Sequence, residues 1–486
     1  MCNGLRSRWR RSGKSVPMDR PGATTSAAIL GTCALLISGQ AGADLQDLPG
    51  LTDPQREAAI ASMTVYTALR PEGEEGVLPP EQQVLFDRIE ELVHTANELL
   101  ETPNEPTDRS LQLDAEGLAE SLQWVSTEET AAQGRLAKDT ATSQFSNVAR
   151  RLGELRLGGG GLQLGRLEGD ARPAGFALSS GDGRIGGGAS ADEYAFSRWG
   201  AFLNGVYGVS RRDPTDREDA YDADNFGLSA GVDYRLSDAL VLGGGVGWSR
   251  AEIDFDGSRS TVDGGVDADG YSLSLYGLYD VGWYYVNGIV TYGALDYDLT
   301  RRITYPSNNP AVAPVNETAR ADTDGRQSLI GLSIGAQHEV GAASAGGFLR
   351  LDFVDIRVDG YRERNAGPFN LEVDDQQVQS LRSSLGVEGA YRYGTDFGVL
   401  LPSVRTAWVH EFRDDSRNVD VGFAADPTGA VFATTTDKPD RDFFTVAGSL
   451  AMVLPRGVQA FVDVETVLGL RDTDSTQFVG GVRMEF

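Results

Sequence analysis

From about residue 198 to Phe486, apolar and polar residues alternate with a period of two, run after run. In the stretch 224–236, Phe226, Leu228, Ala230, Val232 and Tyr234 share one parity, and Ser229, Asp233 and Arg235 the other. In 377–392, Leu381, Leu385, Val387 and Tyr391 oppose Arg382, Ser384, Glu388 and Arg392. In 458–470, Ala460, Val462 and Val464 oppose Gln459, Asp463 and Glu465. Period two is the signature of a strand with two unlike faces. A charge at the midplane of a lipid-facing strand costs about 2–4 kcal/mol. The parity carrying Asp233, Asp352, Arg382, Glu388, Arg405, Glu411, Asp463 and Glu465 therefore faces water or paired partners. Alternation by itself leaves open whether lipid or a second protein layer covers the apolar side.

Connection lengths decide it. Twelve such runs fall near 198–210, 224–236, 240–253, 270–281, 283–297, 325–340, 346–358, 377–392, 397–412, 441–454, 458–470 and 475–486. Short connections alternate with longer ones near 211–223, 254–269, 298–324, 359–376 and 413–440, and only the one near 471–474 is brief. Transmembrane barrels have short turns at one end and long loops at the other. The predicted fold class is mainly β: a 12-stranded antiparallel transmembrane β-barrel over 197–486, preceded by an α-helical region. Trp199, Trp248, Trp283, Tyr284, Tyr292 and Trp408 lie near strand ends, as interfacial girdles require. The seventh run slips phase near Val354, which predicts a bulge or an early exit from the bilayer.

The N-terminus reads as an export signal over 1–43. Arg6, Arg8, Arg10, Arg11, Lys14 and Arg20 precede an apolar stretch 27–37 and a small-residue cleavage site, Ala41-Gly42-Ala43. Met18 is an alternative start. Both cysteines, Cys2 and Cys33, fall inside that segment, so the exported chain is expected to hold no disulfide. Residues 44–157 read as helices. Asp53-Pro54 suggests a cap followed by Pro at the first helical position, Pro80 opens a second helix, and a third runs near Ala115 to Val125. Ser126-Thr127-Glu128-Glu129 is a capping box for a fourth, striped by Ala141, Phe145, Val148, Leu152 and Leu155. A Gly-rich linker follows over 158–196. The formal net charge of -28 argues against a nucleic-acid partner.

The final ten residues place Phe478, Gly480, Val482, Met484 and the terminal Phe486 on one face. This ending resembles the recognition strand of bacterial outer-membrane proteins, which implies that Phe478, Val482, Met484 and Phe486 form a barrel-assembly signal. The stretches LVLGGGVGWS (Leu240–Ser249), YSLSLYGLYDVG (Tyr271–Gly282), Trp408–Phe412 and Phe478–Phe486 resemble the translocator domain of autotransporters, the type V secretion proteins of Gram-negative bacteria. QFSNVARRLGELRLG (Gln144–Gly158) before a Gly-rich stretch resembles a subgroup with a helical N-terminal region. The resemblance implies an outer-membrane barrel that anchors its N-terminal passenger and helps bring it to the cell surface, with a helix plugging the lumen. Candidate plug contacts are Arg150, Arg151 and Arg156 against Glu388, Asp463 and Glu465; the alternative places these arginines on a solvated face. It further implies outer-membrane lipid and lipopolysaccharide, the barrel-assembly machinery and periplasmic chaperones as partners. Alternative functions are a passive porin or structural outer-membrane protein with periplasmic helices, and a surface adhesin.

Hidden chemistry finds little support in the sequence. His94, His338 and His410 show no metal-ligand spacing, and no Gly-x-Ser-x-Gly marks a nucleophile. The expectation is a protein that is not an enzyme, with no cofactor and no metal. Asp254-Phe255-Asp256-Gly257 and Asp267-Ala268-Asp269-Gly270 echo fragments of calcium loops but read as turns. Acidic residues over Asp213 to Asp224 are candidates for divalent ions bridging to lipopolysaccharide, with a solvated loop as the alternative.

Overall fold

The alternating runs close on themselves in the computed structural model, which describes residues 44–70, 78–126, 128–158, 198–255 and 262–486. Among these, twelve long antiparallel strands form the barrel: β1 Trp199–Arg212, β2 Tyr221–Arg235, β3 Leu240–Phe255, β4 Gly264–Asp280, β5 Tyr284–Tyr305, β6 Val315–Val340, β7 Ala343–Val358, β8 Gln376–Tyr391, β9 Gly398–Glu411, β10 Asp442–Val453, β11 Val458–Leu468 and β12 Thr473–Glu485. Each pairs with its sequence neighbour, and β12 closes the ring on β1 with Ala201 opposite Met484 and Tyr207 opposite Phe478. Closure leaves no unpaired edge, as strands in lipid require. No helix among the described residues is long and apolar enough to cross a membrane.

Apolar side chains point outward in the middle of the strands. Leu242, Val246, Leu273, Leu275, Val290, Ile330, Leu332, Val387, Val404 and Val462 are all well exposed. Trp199, Trp283 and Tyr292 are exposed, and Trp199 packs on Tyr234 while Trp248 packs on Phe226. The turns at one end are short, at 236–239, 281–283, 341–342 and 454–457, and longer connections gather at the other.

One strand expectation is corrected, and one of the two alternatives for another is removed. The stretch 298–324 is mostly strand, not loop, because β5 runs to Tyr305 and β6 begins at Val315. There the two faces exchange character: Asp296, Asp298, Asp322 and Asp324 point out, while Leu295, Tyr297, Ile303, Ala319 and Ala321 are buried inside. Charge on the outer face reads as loop only if that face is assumed to meet lipid. The same exchange accounts for Val354. Its register is continuous with Leu329 on β6 and Ser380 on β8, so β7 has no bulge at this point. The inner side changes instead from Arg350 and Asp352 to Val354, Ile356 and Val358, and Asp355 and Arg357 point out.

Among the described residues, four α-helices precede the barrel: α1 Asp53–Leu69, α2 Pro80–Leu99, α3 Ala115–Val125 and α4 Glu128–Gly158. The cap of α1 is Thr52, not Asp53. The Thr52 hydroxyl accepts from the Gln55 amide at 3.4 Å, and the Gln55 side chain accepts from the Thr52 amide at 2.9 Å. Residues 1–43, Thr127, most of the linker and Asp256-Gly257 lie outside the described residues, as do the side chains of Arg151, Glu128 and Glu129. The Ser126 hydroxyl donates back to the Gln123 carbonyl at 2.6 Å. Helices α1–α3 share one core with the barrel's long-connection end. Leu85, Ile89, Leu92, Leu118 and Leu122 pack with Ile303 and Tyr305 of the β5–β6 hairpin. They also pack with Phe369, Leu371, Val373, Val419, Val421 and Phe423. The last residues belong largely to a small sheet of Tyr361–Arg362, Leu371–Val373, Asn418–Phe423 and Phe432–Thr435, built from connections read as loops.

Candidate functional site

Helix α4 occupies the barrel lumen. Near its start, Arg135 donates to both carboxylate oxygens of Glu218, in the β1–β2 connection, at 2.7 and 2.9 Å. The Gln376 amide, at the start of β8, donates to Gln133 at 2.8 Å. Near its end, Arg156 reaches Gln337 and Glu388, beside the short turns. The helix thus runs from the long-connection end to the short-turn end.

The lumen has two unlike walls, and α4 has two matching faces. Its stripe of Ala141, Phe145, Val148, Leu152 and Leu155 is buried with Phe202, Tyr276, Tyr285, Ile289 and Leu329 of the wall. Phe145 lies over Gly331, where a Cβ would overlap its ring. The same position leaves the Arg350 guanidinium 5.1 Å from the ring centroid. In the middle of the helix, Asn147 donates to the Ser229 hydroxyl at 2.8 Å and Ser143 donates to Asn225 at 2.9 Å.

The opposite wall is ionic. Arg150 pairs with Asp463 and lies 3.5 Å from Glu465, and Arg405 also donates to Glu465 at 2.9 Å. Arg156 donates to Glu388 at 2.8 Å and stacks 3.3 Å from the centroid of Tyr285. Lys138 lies 3.5 Å from Glu411, whose carboxylate also accepts from the Ser380 hydroxyl, the Leu381 amide and Arg382. The structure therefore brings Arg150 and Arg156 to Asp463, Glu465 and Glu388. The Arg151 side chain is outside the described residues. Missed from sequence were the Arg135–Glu218 clasp, Tyr285 beneath Arg156, and the Phe145 seat. A Gly inside the apolar run Leu329–Ser333 was the available signal for the last.

A cleft of about 890 Å³ remains between α4 and the barrel wall, lined by polar and apolar side chains alike. Lys138, Ser146 and Gly153 line it from the helix, and Arg382, Glu388 and Arg405 from the wall. It reaches the connections 214–217, 437–440 and 470–473. Beyond Arg150 and Arg156 lies a second cavity of about 70 Å³, which shares Gly153, Arg156, Glu388 and Arg405 with the first.

In the acidic stretch after β1, Asp213, Asp216 and Asp224 are exposed, as a solvated loop would have them, but two residues are not. Glu218 and Asp219 are buried. Burial would raise the Glu218 carboxyl, but Arg135 and Arg212 hold it below the usual range. Asp219 accepts from the Val262 amide at 3.0 Å. Of the terminal residues, Phe478, Val482, Met484 and Phe486 are about half exposed on the outer face, and the Phe486 amide donates to the Trp199 carbonyl at 3.0 Å. The histidines sit on three separate elements. His94 is buried in α2, His338 is exposed on β6, and His410 on β9 bonds Asp442 at 2.8 Å.

A closed twelve-stranded barrel with an outward apolar belt and a helix in its lumen is an outer-membrane β-barrel of the translocator class. Residues 201–465, more than half of the chain, match the autotransporter beta-domain family, and the chain belongs to it. Its function is that of an outer-membrane translocator in type V secretion. The chain is 25% identical over 225 residues to the esterase EstA of Pseudomonas aeruginosa, covering 46% of this chain and 33% of that protein. It is 30% identical over 207 residues to an uncharacterised protein of Pseudomonas putida from the trpE-trpG intergenic region, covering 41% and 32%. The chain thus spans about a third of the length of these curated relatives. The solved translocator domain of the autotransporter NalP from Neisseria meningitidis is similar at 12% identity and a TM-score of 0.46, covering 61% of this chain and 91% of that one.

These relatives correct the expectation that the protein is not an enzyme. The EstA relative is named an esterase, so catalytic proteins are among those the chain matches. A missing nucleophile signature in one sequence does not set a chain apart from them.

Proposed function

We propose that this barrel anchors its own helical region, α1–α3, and displays it on the cell surface, with α4 as the tether and plug of the lumen. The observation that carries the reading is the path of the chain. Helix α4 runs along the lumen with its start at the long-connection end, where α1–α3 pack, and long connections of such barrels face the exterior. Arg150 and Arg156 fix the plug to Asp463, Glu465 and Glu388, and the apolar stripe fixes its other face. Residues 1–43 act as the export signal. Phe478, Val482, Met484 and Phe486 present the strand that the assembly machinery reads, and the outer belt contacts lipid and lipopolysaccharide.

An epitope inserted between Arg70 and Leu78 tests the surface assignment. Intact cells should stain without permeabilisation; staining only after permeabilisation would make the helices periplasmic and overturn it. The cleft beside α4 favours a second reading, a passive pore. Single-channel conductance with and without residues 44–157 separates the two: a plugged translocator should conduct far more after the deletion, and a porin should not.

A further inference from the structure

The connections at the long end of the barrel are more than loops around a pore. Eight residues of the two connections that carry the small sheet, together with Ile303, Tyr305, Val312 and Val315 of the β5–β6 hairpin, are buried against α1–α3 in a single apolar cluster. Polar contacts fix the register of that packing. The Asn309 side chain donates to the Ser110 carbonyl at 2.7 Å, the Asn308 amide to the Leu111 carbonyl at 2.8 Å, and Arg88 to the Ala313 carbonyl at 3.0 Å. At the base, Arg301 is clamped by both oxygens of Glu363 at 2.7 and 3.0 Å. It also donates to the Phe369 carbonyl at 2.8 Å and to the Trp124 carbonyl, at the end of α3, at 3.3 Å.

Neither partner is self-sufficient in this arrangement. Helices α1–α3 expose an apolar face once the hairpin is removed, and without the helices the inner side of the small sheet keeps only its contacts with the hairpin, such as Phe369 on Tyr305. Contiguous exposed apolar patches mark sites of interaction. A region carried only as cargo would need a core of its own and a polar surface towards its carrier.

We propose that the β5–β6 hairpin and the small sheet form a dedicated docking platform for α1–α3, so that the helical region stays bound to the barrel even when the covalent link through α4 is cut. The occupant is residues 44–126 of this same chain. The inference rests on the shared core and holds on whichever side of the membrane the long connections lie, so failure of the surface assignment would leave it standing.

The test uses the purified full chain in detergent, with a protease recognition sequence and flexible flanks inserted between Ser126 and Glu128. After cutting, confirmed on a denaturing gel, the 44–126 fragment should co-elute with the barrel on gel filtration and separate only in urea. Elution as a separate folded species would overturn the proposal. A second variant guards against an inaccessible insertion. Leu371→Asp, buried in the small sheet and outside the barrel wall, should abolish hydrogen-exchange protection in α1–α3 while the barrel keeps its heat-modifiable gel mobility. Unchanged protection of α1–α3 would equally overturn it.

Discussion

Arg150→Met tests the plug at an ion pair buried on both sides. The side chains of Arg150 and Asp463 are 7% and 8% exposed, so neither is bathed in bulk water. Methionine keeps most of the length and removes the charge. Glu465 retains Arg405 at 2.9 Å, whereas Asp463 is left without its ion-pair partner. Removing one member of a buried pair costs about 3–5 kcal/mol. The neighbouring cavity of about 70 Å³ has room for water, which argues for the low end. At about 1.4 kcal/mol per tenfold, a loss of ~3 kcal/mol moves the local equilibrium of the helix end ~100-fold toward the undocked state. The apolar stripe upstream is untouched, and each of its larger members contributes about 1.5–3 kcal/mol by burial. The helix therefore stays in the lumen, and only its last turns loosen.

In planar bilayers the variant should show frequent partial openings that are rare in the parent protein, with the folded, heat-modifiable band unchanged. Arg150→Met combined with Asp463→Leu should return most of the way, because replacing both members of a buried pair by apolar groups is often close to neutral. Two outcomes would refute the reasoning: opening statistics identical to the parent, or a double variant more open than the single one. The first would mean that Arg150 does not hold the plug, and the second that Asp463 acts through another partner.

Other predictions follow from separate contacts. Gly331→Leu places a side chain where Phe145 sits, an overpacking cost of about 1–3 kcal/mol, and should raise conductance through the apolar side without disturbing barrel closure. Deleting Phe486 removes one backbone hydrogen bond at a strand end, about 1 kcal/mol; refolding in detergent should barely change, while folded protein in the outer membrane of cells should fall sharply. Equal losses in both settings would leave no role for a recognition signal. Burial lowers the pKa of His94 against the opposing pull of Asp108, and its Nδ1 accepts from the Arg109 amide at 3.2 Å. The stability it confers is present above the unfolded-state value and is lost as pH falls below that value and through the lower folded one. Glu90, raised by burial, works in the opposite direction at lower pH. Helical circular dichroism at 222 nm should melt earlier at pH 5 than at pH 7, and His94→Gln should shrink that difference.

How far the chain could be read from its sequence depended on which solvent each face met. Within the bilayer the rule is simple, since outward residues meet lipid, and β2, β8 and β11 were legible residue by residue. Above the bilayer both faces change partners. The outer face meets water and takes Asp296, Asp298, Asp322 and Asp324; the inner face meets α4 and the other helices and takes Leu295, Tyr297 and Ile303. A period-two pattern of inverted polarity is still a strand, and it was missed because alternation was read against lipid alone. The small sheet was missed for a related reason. Its strands are as short as Tyr361–Arg362 and Leu371–Val373, too brief for any period, and they form because α1–α3 cover one side of them.

The ionic half of the lumen was more legible than the apolar half, and the reason is again cost. Charges at mid-strand are expensive unless paired, so Glu388, Asp463 and Glu465 called for cations, and a helix ending with Arg150 and Arg156 offered them. The apolar half carried no such demand. Phe202, Tyr276, Tyr285 and Ile289 sit on the parity that elsewhere meets water, and only a helix in the lumen with a stripe of its own gives them cover. Their presence is thus independent support for an occupied lumen. Inward-facing aromatic and branched residues on β1, β4 and β5 would be left wet in an empty pore, at about 1.5–3 kcal/mol for each side chain so exposed. A barrel evolved to stand open would have kept that parity polar on every strand. This one also lines that parity with apolar side chains on β1, β4 and β5, where the stripe of α4 covers them.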